Sequence, residues 1–569
     1  MSDAQISKPI PLTGQRTLTK KEQAQCVQAT AGKLPVKKSS CTGQVFLGMF
    51  FDGTGNNRDV DLPEHKHSNV VRLFRVHKDN SRVLTIAPPV LWRREYVPGV
   101  GTAFPEIGEL GNSARQRIAG KALANGGQSR IFWGLIQTIN AMHRYVKGGE
   151  PLMSDAEAGE FAQDTGDGSA DSALDELKAR VSILKGILSK SKPTVTQFNI
   201  SVFGFSRGAA QARAYCTWFY QLCEKEGKDY KFAGVSVSID FLGIFDTVAS
   251  VGKMNLDVFK EELGSGHEAW AKGTLKIDPA IKRCVHFVAT HEVRSTFPLD
   301  SVRHLGVYPS NCVEVIYPGA HSDVGGGYEP LNQGKSALPQ DMKSYSFIGI
   351  MPCIDMHKEA IANGVPLINL SQMAKEQLQD FTASPHAVED YNAYLKTATA
   401  SGSLEKVFAQ QMNRYLYYRF KKRDTFVDEA VQRGSPSEDT KFLKITNEDL
   451  KKKCAELQRK YANIKKTSEK NEQLSWAGAV KGDNKTPEQR SADLKKLEKQ
   501  YFDTTFYPED LEMWESMHRV GALPESLVQF YDKYVHDSIA NLAQDGVREY
   551  EYNGRGHFRR RTVYDKGGK

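Results

Sequence analysis

The chain has 569 residues, 40% hydrophobic and 25% charged, a globular composition long enough for two or more domains. Its net charge of +8, from 76 Lys and Arg against 68 Asp and Glu, is too small at this length to indicate nucleic-acid binding. Eight cysteines without CxxC or CxxH spacing read as reduced thiols rather than a zinc site, and no apolar run approaches the roughly 18 residues of a membrane-spanning helix.

Residues 1–40 are polar, lysine-bearing and punctuated by proline, which predicts a flexible N-terminal segment and lacks the apolar core of a signal peptide. From 41 to 330, short apolar runs alternate with amphipathic segments, the pattern of an α/β domain with a mainly parallel sheet and helices on both faces. The first run, Val45 to Phe51, ends in Asp52-Gly53-Thr54-Gly55-Asn56-Asn57, an exposed glycine-relaxed loop; no Gly-Lys-Ser/Thr follows, so it is not a phosphate loop. The acidic stretch from Asp155 to Glu176 lacks calcium-loop spacing and reads as a solvated loop. Leu174, Leu177, Val181, Leu184 and Leu188 then recur at steps of three and four, predicting a helix that buries one face.

The second run, Phe198 to Phe203, leads into Gly204-Phe205-Ser206-Arg207-Gly208 and then into alanines. Such a pentad arises by chance in about one chain in five of this length, so its context decides. An alternating strand before the serine and small residues after it are what a nucleophile elbow requires, because the strand must turn sharply into a closely packed helix. A serine hydroxyl attacks only when a histidine takes its proton and a carboxylate orients that histidine. The run Val235 to Phe245 is followed by Asp246, the expected acid, with Asp240 inside the strand as the lesser candidate. Val285 to Ala289 precedes His291, the rival base, and contains His286, which reads as packed core. Val313 to Tyr317 leads through Pro318-Gly319-Ala320 to His321 and a Gly325-Gly326-Gly327 loop able to bring an imidazole onto the serine; His321 is the expected base. The backbone N–H of Arg207 and that of Gly53 or Thr54 are the expected oxyanion donors. No cluster at metal-ligand spacing is present in the sequence, so neither metal nor cofactor is expected.

Residues 331–569 have a helical texture, with a stripe of Leu450, Cys454, Leu457, Tyr461 and Ile464. Within it, Phe408 to Arg423 sets Tyr417, Tyr418 and Phe420 beside Lys421, Lys422 and Arg423, which suits either contact with an anionic membrane or a packed helix with a solvated basic end. Phe558-Arg559-Arg560-Arg561 is a weaker candidate for the same contact.

Five ordered motifs, FFDGTGNN (Phe50 to Asn57), YVPGVGT (Tyr96 to Thr102), VFGFSRGAA (Val202 to Ala210), FLGIFDTV (Phe241 to Val248) and YPGAHSDVGGGY (Tyr317 to Tyr328), resemble the α/β-hydrolase domain of the type VI secretion lipase effectors that carry GxSxG. The resemblance implies phospholipase A activity on membrane glycerophospholipids, with a triad of Ser206, Asp246 and His321. It implies a chain made in the cytoplasm without a signal peptide, delivered by a VgrG-like spike to the periplasm and membrane of a competing bacterium, with a cognate immunity protein as partner. The later helical region resembles the membrane-engaging part of such effectors.

Overall fold

A computed structural model describes residues 4–31, 42–81, 89–110, 126–165, 169–249, 269–294, 296–336, 347–398, 401–480, 485–505, 508–544 and 560–568. Its centre is a nine-stranded sheet formed by β1 (Gln5–Ile6), β2 (Thr42–Phe51), β3 (Val90–Val97), β4 (Thr194–Phe205), β5 (Glu224–Glu226), β6 (Asp229–Phe232), β7 (Val235–Phe245), β8 (Cys284–Ala289) and β10 (Cys312–Tyr317). The order β1-β10-β8-β7-β4-β2-β3 is parallel throughout, and the β5–β6 hairpin joins the start of β7 antiparallel. Outside it, β9 (Leu299–Asp300) pairs in parallel with β11 (Val563–Tyr564).

Successive side chains on a strand point to opposite faces, and the central strands feed two cores in this way. Val45, Leu47, Met49 and Phe51 of β2 and Phe198, Ile200 and Val202 of β4 enter one core with the helices Gly127–Val146, Ala170–Leu188 and Arg207–Gln221. Phe50, Phe203, Phe205, Phe241 and Phe245 enter the other. That second core takes the helix Asn69–Val76 and several helices from beyond residue 347, among them Ile350–Ala362, Pro385–Thr397, Leu404–Lys422 and Glu525–Tyr534. The mainly parallel α/β fold and the helical later region agree with the sequence expectation; the later helices, with Asn69–Val76, form the sheet's second covering layer.

Two expectations are corrected. Asp155–Asp164 is a helix rather than loop, started by a capping box in which Ser154 and Glu157 bond each other's backbone, and the helix expected from the Leu174 to Leu188 stripe begins at Ala170, inside the stretch read as loop. At the N-terminus, the segment expected to be flexible places Gln5–Ile6 at the sheet edge beside β10. It also forms the helix Lys20–Thr30, whose Glu22 meets Lys358 at 2.7 Å.

Candidate active site

All the parallel strands point the same way, so the loops leaving β2, β4, β7, β8 and β10 gather at one edge of the sheet, where open α/β sheets hold their ligands. β4 ends at Phe205 and the helix Arg207–Gln221 begins at once, leaving Ser206 as the turn with φ 58° and ψ −127°, a conformation that costs a non-glycine residue energy. Neighbouring backbone holds it there: the Ser206 N–H donates to the Phe245 carbonyl at 3.0 Å, and its own carbonyl accepts from Ala209 at 3.0 Å. The two glycines of the pentad are sites of contact. A Cβ on Gly204 would lie 2.5 Å from the Gly208 carbonyl oxygen, and one on Gly208 would lie 2.3 Å from that of Asp52. Larger residues at either position would push the elbow helix off β2 and β4.

Asp246 follows β7, also at positive φ (43°), and is fully buried. Its Oδ2 lies 2.5 Å from His321 Nδ1, and its Oδ1 accepts the Ala289 N–H at 2.8 Å. His321 opens a short helix after β10, between the rings of Phe205 (4.7 Å) and Phe297 (5.1 Å), and its backbone N–H donates to Glu292. A carboxylate on Nδ1 fixes the proton there and makes Nε2 the acceptor. Nε2 is buried without a hydrogen-bond partner among the described residues. Of the three candidates, the structure brings Asp246 and His321 together directly and sets Ser206 at the end of β4, next to the Phe205 ring that contacts the imidazole.

Electrostatics separates these groups. Burial alone would raise the Asp246 carboxyl, but Arg561 and then His321 hold it well below the usual carboxylate range. Burial pushes the His321 imidazole below its ordinary value, with the Asp246 bond working the other way. The imidazole is therefore neutral, and able to accept a proton, at neutral pH.

The rival residues have other places. His291 accepts the Gly319 N–H on Nδ1 at 2.9 Å and packs among Tyr394, Tyr415 and Tyr531, and burial lowers it to about 3. His286 lies inside β8, bonded to Glu314 at 2.8 Å. Asp240 is the extra residue where the β4–β7 register shifts, and it bonds Lys282 at 2.7 Å.

The β2 loop reaches the same edge. A Cβ on Gly53 would lie 2.5 Å from the Phe205 ring, and one on Gly99, in the YVPGVGT stretch, 1.7 Å from the Gly53 carbonyl oxygen. Asp52 shapes this loop, accepting from Gly53 N–H (2.8 Å), Ser68 Oγ (2.6 Å) and Tyr96 Oη (2.6 Å). Burial nevertheless pushes its carboxyl up to about 7. Asp52 therefore occupies the Gly53 N–H, and of the two expected donors Thr54 is the one it does not take; the Thr54 hydroxyl is buried without a partner among the described residues. The Arg207 side chain is buried too, and desolvation with the nearby Arg294 charge lowers it to about 9.

The expected membrane contact is corrected. Tyr418 and Phe420 are buried in the second core, and the Tyr418 hydroxyl donates to Asp532 at 2.6 Å. Lys422 pairs with Glu429 at 2.8 Å and Arg423 donates to the Phe420 carbonyl, while Tyr417 is half-buried. Only Lys421 of the six is exposed. The aromatic stripe faces His291 and Tyr531 because positions three apart share a helix face, so it serves packing. Phe558 and Arg559 lie outside the described residues. Arg560 bonds Asn413 and Glu512. Arg561 is buried against Asp246, a partner 315 positions away for which no spacing rule exists.

A family model described as "T6SS, Phospholipase effector Tle1-like, catalytic domain" matches residues 47–222 and 221–348, more than half of the chain. Among solved structures, an uncharacterized protein from Pseudomonas aeruginosa is similar over 99% of this chain and 85% of its own, at 24% identity and TM-score 0.69, a likeness of fold. A Tle1 effector bound to the VgrG spike of the type 6 secretion system aligns over 52% of this chain and 53% of its own, at 22% identity and TM-score 0.26. Curated proteins give no match.

Proposed function

From the premise that this chain belongs to the Tle1-like phospholipase effector family of type VI secretion, we propose that it hydrolyses acyl esters of membrane glycerophospholipids, as a phospholipase A, through Ser206, His321 and Asp246. The observation that carries this reading is the Asp246–His321 pair set at the strand edge beside a serine in a strained elbow.

In the first half-reaction, Ser206 Oγ attacks the ester carbonyl while His321 Nε2 takes its proton. The Arg207 and Thr54 N–H groups meet the oxyanion, Asp246 steadies the imidazolium, and His321 returns the proton to the leaving glyceryl oxygen. Water, deprotonated by the same imidazole, then releases the fatty acid. The buried Arg207, near the Glu292-paired Arg294, gives this edge a positive charge that suits a substrate carrying a phosphodiester close to the scissile ester. Family membership supports the remaining parts of the reading: a VgrG-like spike as carrier, the membrane of a competing bacterium as target, and an immunity protein in the producer.

The test is hydrolysis of phosphatidylglycerol and phosphatidylethanolamine vesicles with the products identified by mass spectrometry. Release of fatty acid and lysophospholipid by the wild type, with none from Ser206→Ala, is expected. Turnover of short soluble esters alone would replace the phospholipase reading with that of an esterase.

A further inference from the structure

The segment 560–568 is a strap docked across the region between β9 and the loop that carries Ala271 and Leu275. Leu299 and Ser301 donate to the Thr562 and Tyr564 carbonyls at 2.9 Å each, and Leu305 donates to that of Asp565 at 3.0 Å. At its far end, Gly568 accepts from Gly273 at 3.0 Å, with φ 88° and a position where a Cβ would meet the Ala271 carbonyl oxygen at 2.3 Å. The elbow helix braces the same platform, since Arg213 donates to the Leu275, Asp300 and Ser301 carbonyls.

One side chain of the strap turns inward. Arg561 sets Nη1 2.6 Å from Asp246 Oδ1 and Nη2 2.8 Å from Oδ2, and donates further to the Ala289 carbonyl at 3.0 Å and the Phe297 carbonyl at 2.9 Å. This two-point contact aligns both oxygens of a carboxylate in a way that one ammonium cannot. Asp246 Oδ2 is thus shared between Arg561 and His321. We propose that Arg561 is a positioning residue of the hydrolytic site, and that docking of the strap is required for a competent Asp246–His321 pair. The inference rests on the hydrolase reading above.

The arrangement has a pH signature. The groups that face His321 are Asp246 at the end of β7, Glu292 and Arg294 after β8, and Arg561 on the strap. If Arg561 is replaced and Asp246 stays ionised, the imidazole faces a carboxylate no longer shared with a cation and holds its proton more tightly. If Asp246 instead takes up a proton in its buried site, the wrong imidazole tautomer is favoured until higher pH. Both routes move the acid limb of the rate profile upward.

The experiment measures kcat and KM from pH 5 to 9 with a short nitrophenyl ester and with phosphatidylglycerol vesicles, alongside thermal melts. Arg561→Met is expected to lower kcat roughly tenfold to a hundredfold, with a smaller change in KM, and to raise the acid limb by about one pH unit. Arg561→Lys should restore the limb while recovering kcat only in part. Gly568→Val touches no reacting group but blocks docking of the strap, and is expected to raise the limb as well. An acid limb at its wild-type position in Arg561→Met, while Ser206→Ala is inactive, overturns the proposal and leaves the hydrolase reading standing. Should Arg561→Met fail to fold, Gly568→Val decides by the same criterion. Activity remaining in Ser206→Ala would instead remove the hydrolase reading itself.

Discussion

On one face of the sheet the helices Gly127–Val146, Ala170–Leu188 and Arg207–Gln221 meet the strands through aliphatic and aromatic side chains, and their buried Arg130 and Arg213 bond the half-buried Glu109 and backbone carbonyls, whereas the helices on the other face bury both partners of an ion pair. There, Arg419 bonds Asp537 at 2.7 Å with both side chains fully buried, and Lys335 donates to the Tyr531 and Asp532 carbonyls. His536 meets Asp323, two residues from His321, at 2.7 Å, and Ser538 donates to Glu292, which in turn accepts the His321 N–H. The first layer builds the elbow and the second secures the loop that carries His321. Apolar burial is tolerant of exact partners, while a buried charge requires one particular partner, so the second layer should be the less forgiving of the two.

The largest effect that separates chemistry from scaffold is expected at the elbow. Ser206→Ala removes one hydroxyl and no packed group, so hydrolysis should fall roughly 10³-fold or more with the melting temperature unchanged. The double variant with His321→Ala should be scarcely worse than either single one, because the residues act as a unit. Activity within tenfold of wild type would remove Ser206 from the chemistry.

The scaffold comparison is sharpened by one substitution in each layer. Arg419→Met strands the Asp537 carboxylate in the second core and is expected to cost about 3–5 kcal/mol. Leu177→Ala opens a cavity in the first core and should cost about 2–5 kcal/mol. The two differ in how they are rescued. Asp537→Asn removes the unpaired charge, so the Arg419→Met/Asp537→Asn double variant should recover much of the Arg419→Met loss in denaturant melts, while the Leu177→Ala loss is unaffected by Asp537→Asn. A double variant no more stable than Arg419→Met would refute the view that the second layer depends on charge pairing.

Glu292 gives a smaller effect. Burial would raise its carboxyl, but Arg294, Arg561 and His321 depress it to about 2. A depressed carboxyl contributes stability at pH above its unfolded value and loses it as pH falls through the native one, so this contribution, on the order of 3 kcal/mol, declines between about pH 4.5 and 2. Glu292→Gln should flatten stability over that window and leave the profile above pH 6 nearly parallel to wild type. A variant as acid-sensitive as wild type would assign the loss to other carboxylates.

The two layers also explain what the sequence discloses. The strands β2, β4, β7, β8 and β10, the elbow and the Leu174 to Leu188 stripe are legible because each is set by local periodicity or by a turn that only small residues permit. Ser206, Asp246 and His321 stand out because each follows an apolar run that can only be a buried strand. The contacts of Arg561 with Asp246, and of His536 with Asp323, join residues 315 and 213 positions apart, and tertiary packing alone creates them. The Asp155 to Glu176 stretch is misread because its acidic composition masks a capping box. The aromatic and basic run at 415–423 satisfies two physical readings equally, and burial, which sequence does not show, decides between them.

That run supplies the smallest expected effect. Lys421 is exposed at the end of the helix Leu404–Lys422, with Nζ 5.3 Å from the Tyr417 ring centroid and 5.9 Å from that of Phe420. Lys421→Glu forfeits an exposed cation–π contact worth about 0.5–1 kcal/mol, and reverses a favourable charge at a helix C-terminus worth about 0.3–1 kcal/mol. Lys422→Glu should cost more, since it would set a carboxylate beside Glu429 and Asp532, the present partners of Lys422. If this helix end is ordinary second-layer structure, Lys421→Glu leaves binding to anionic vesicles at low salt unchanged and melts within a few degrees of wild type. A clear fall in vesicle binding with an unaltered melt would return the helix end to the lipid interface, and would make the second layer a membrane-facing surface as well as a clamp on the His321 loop.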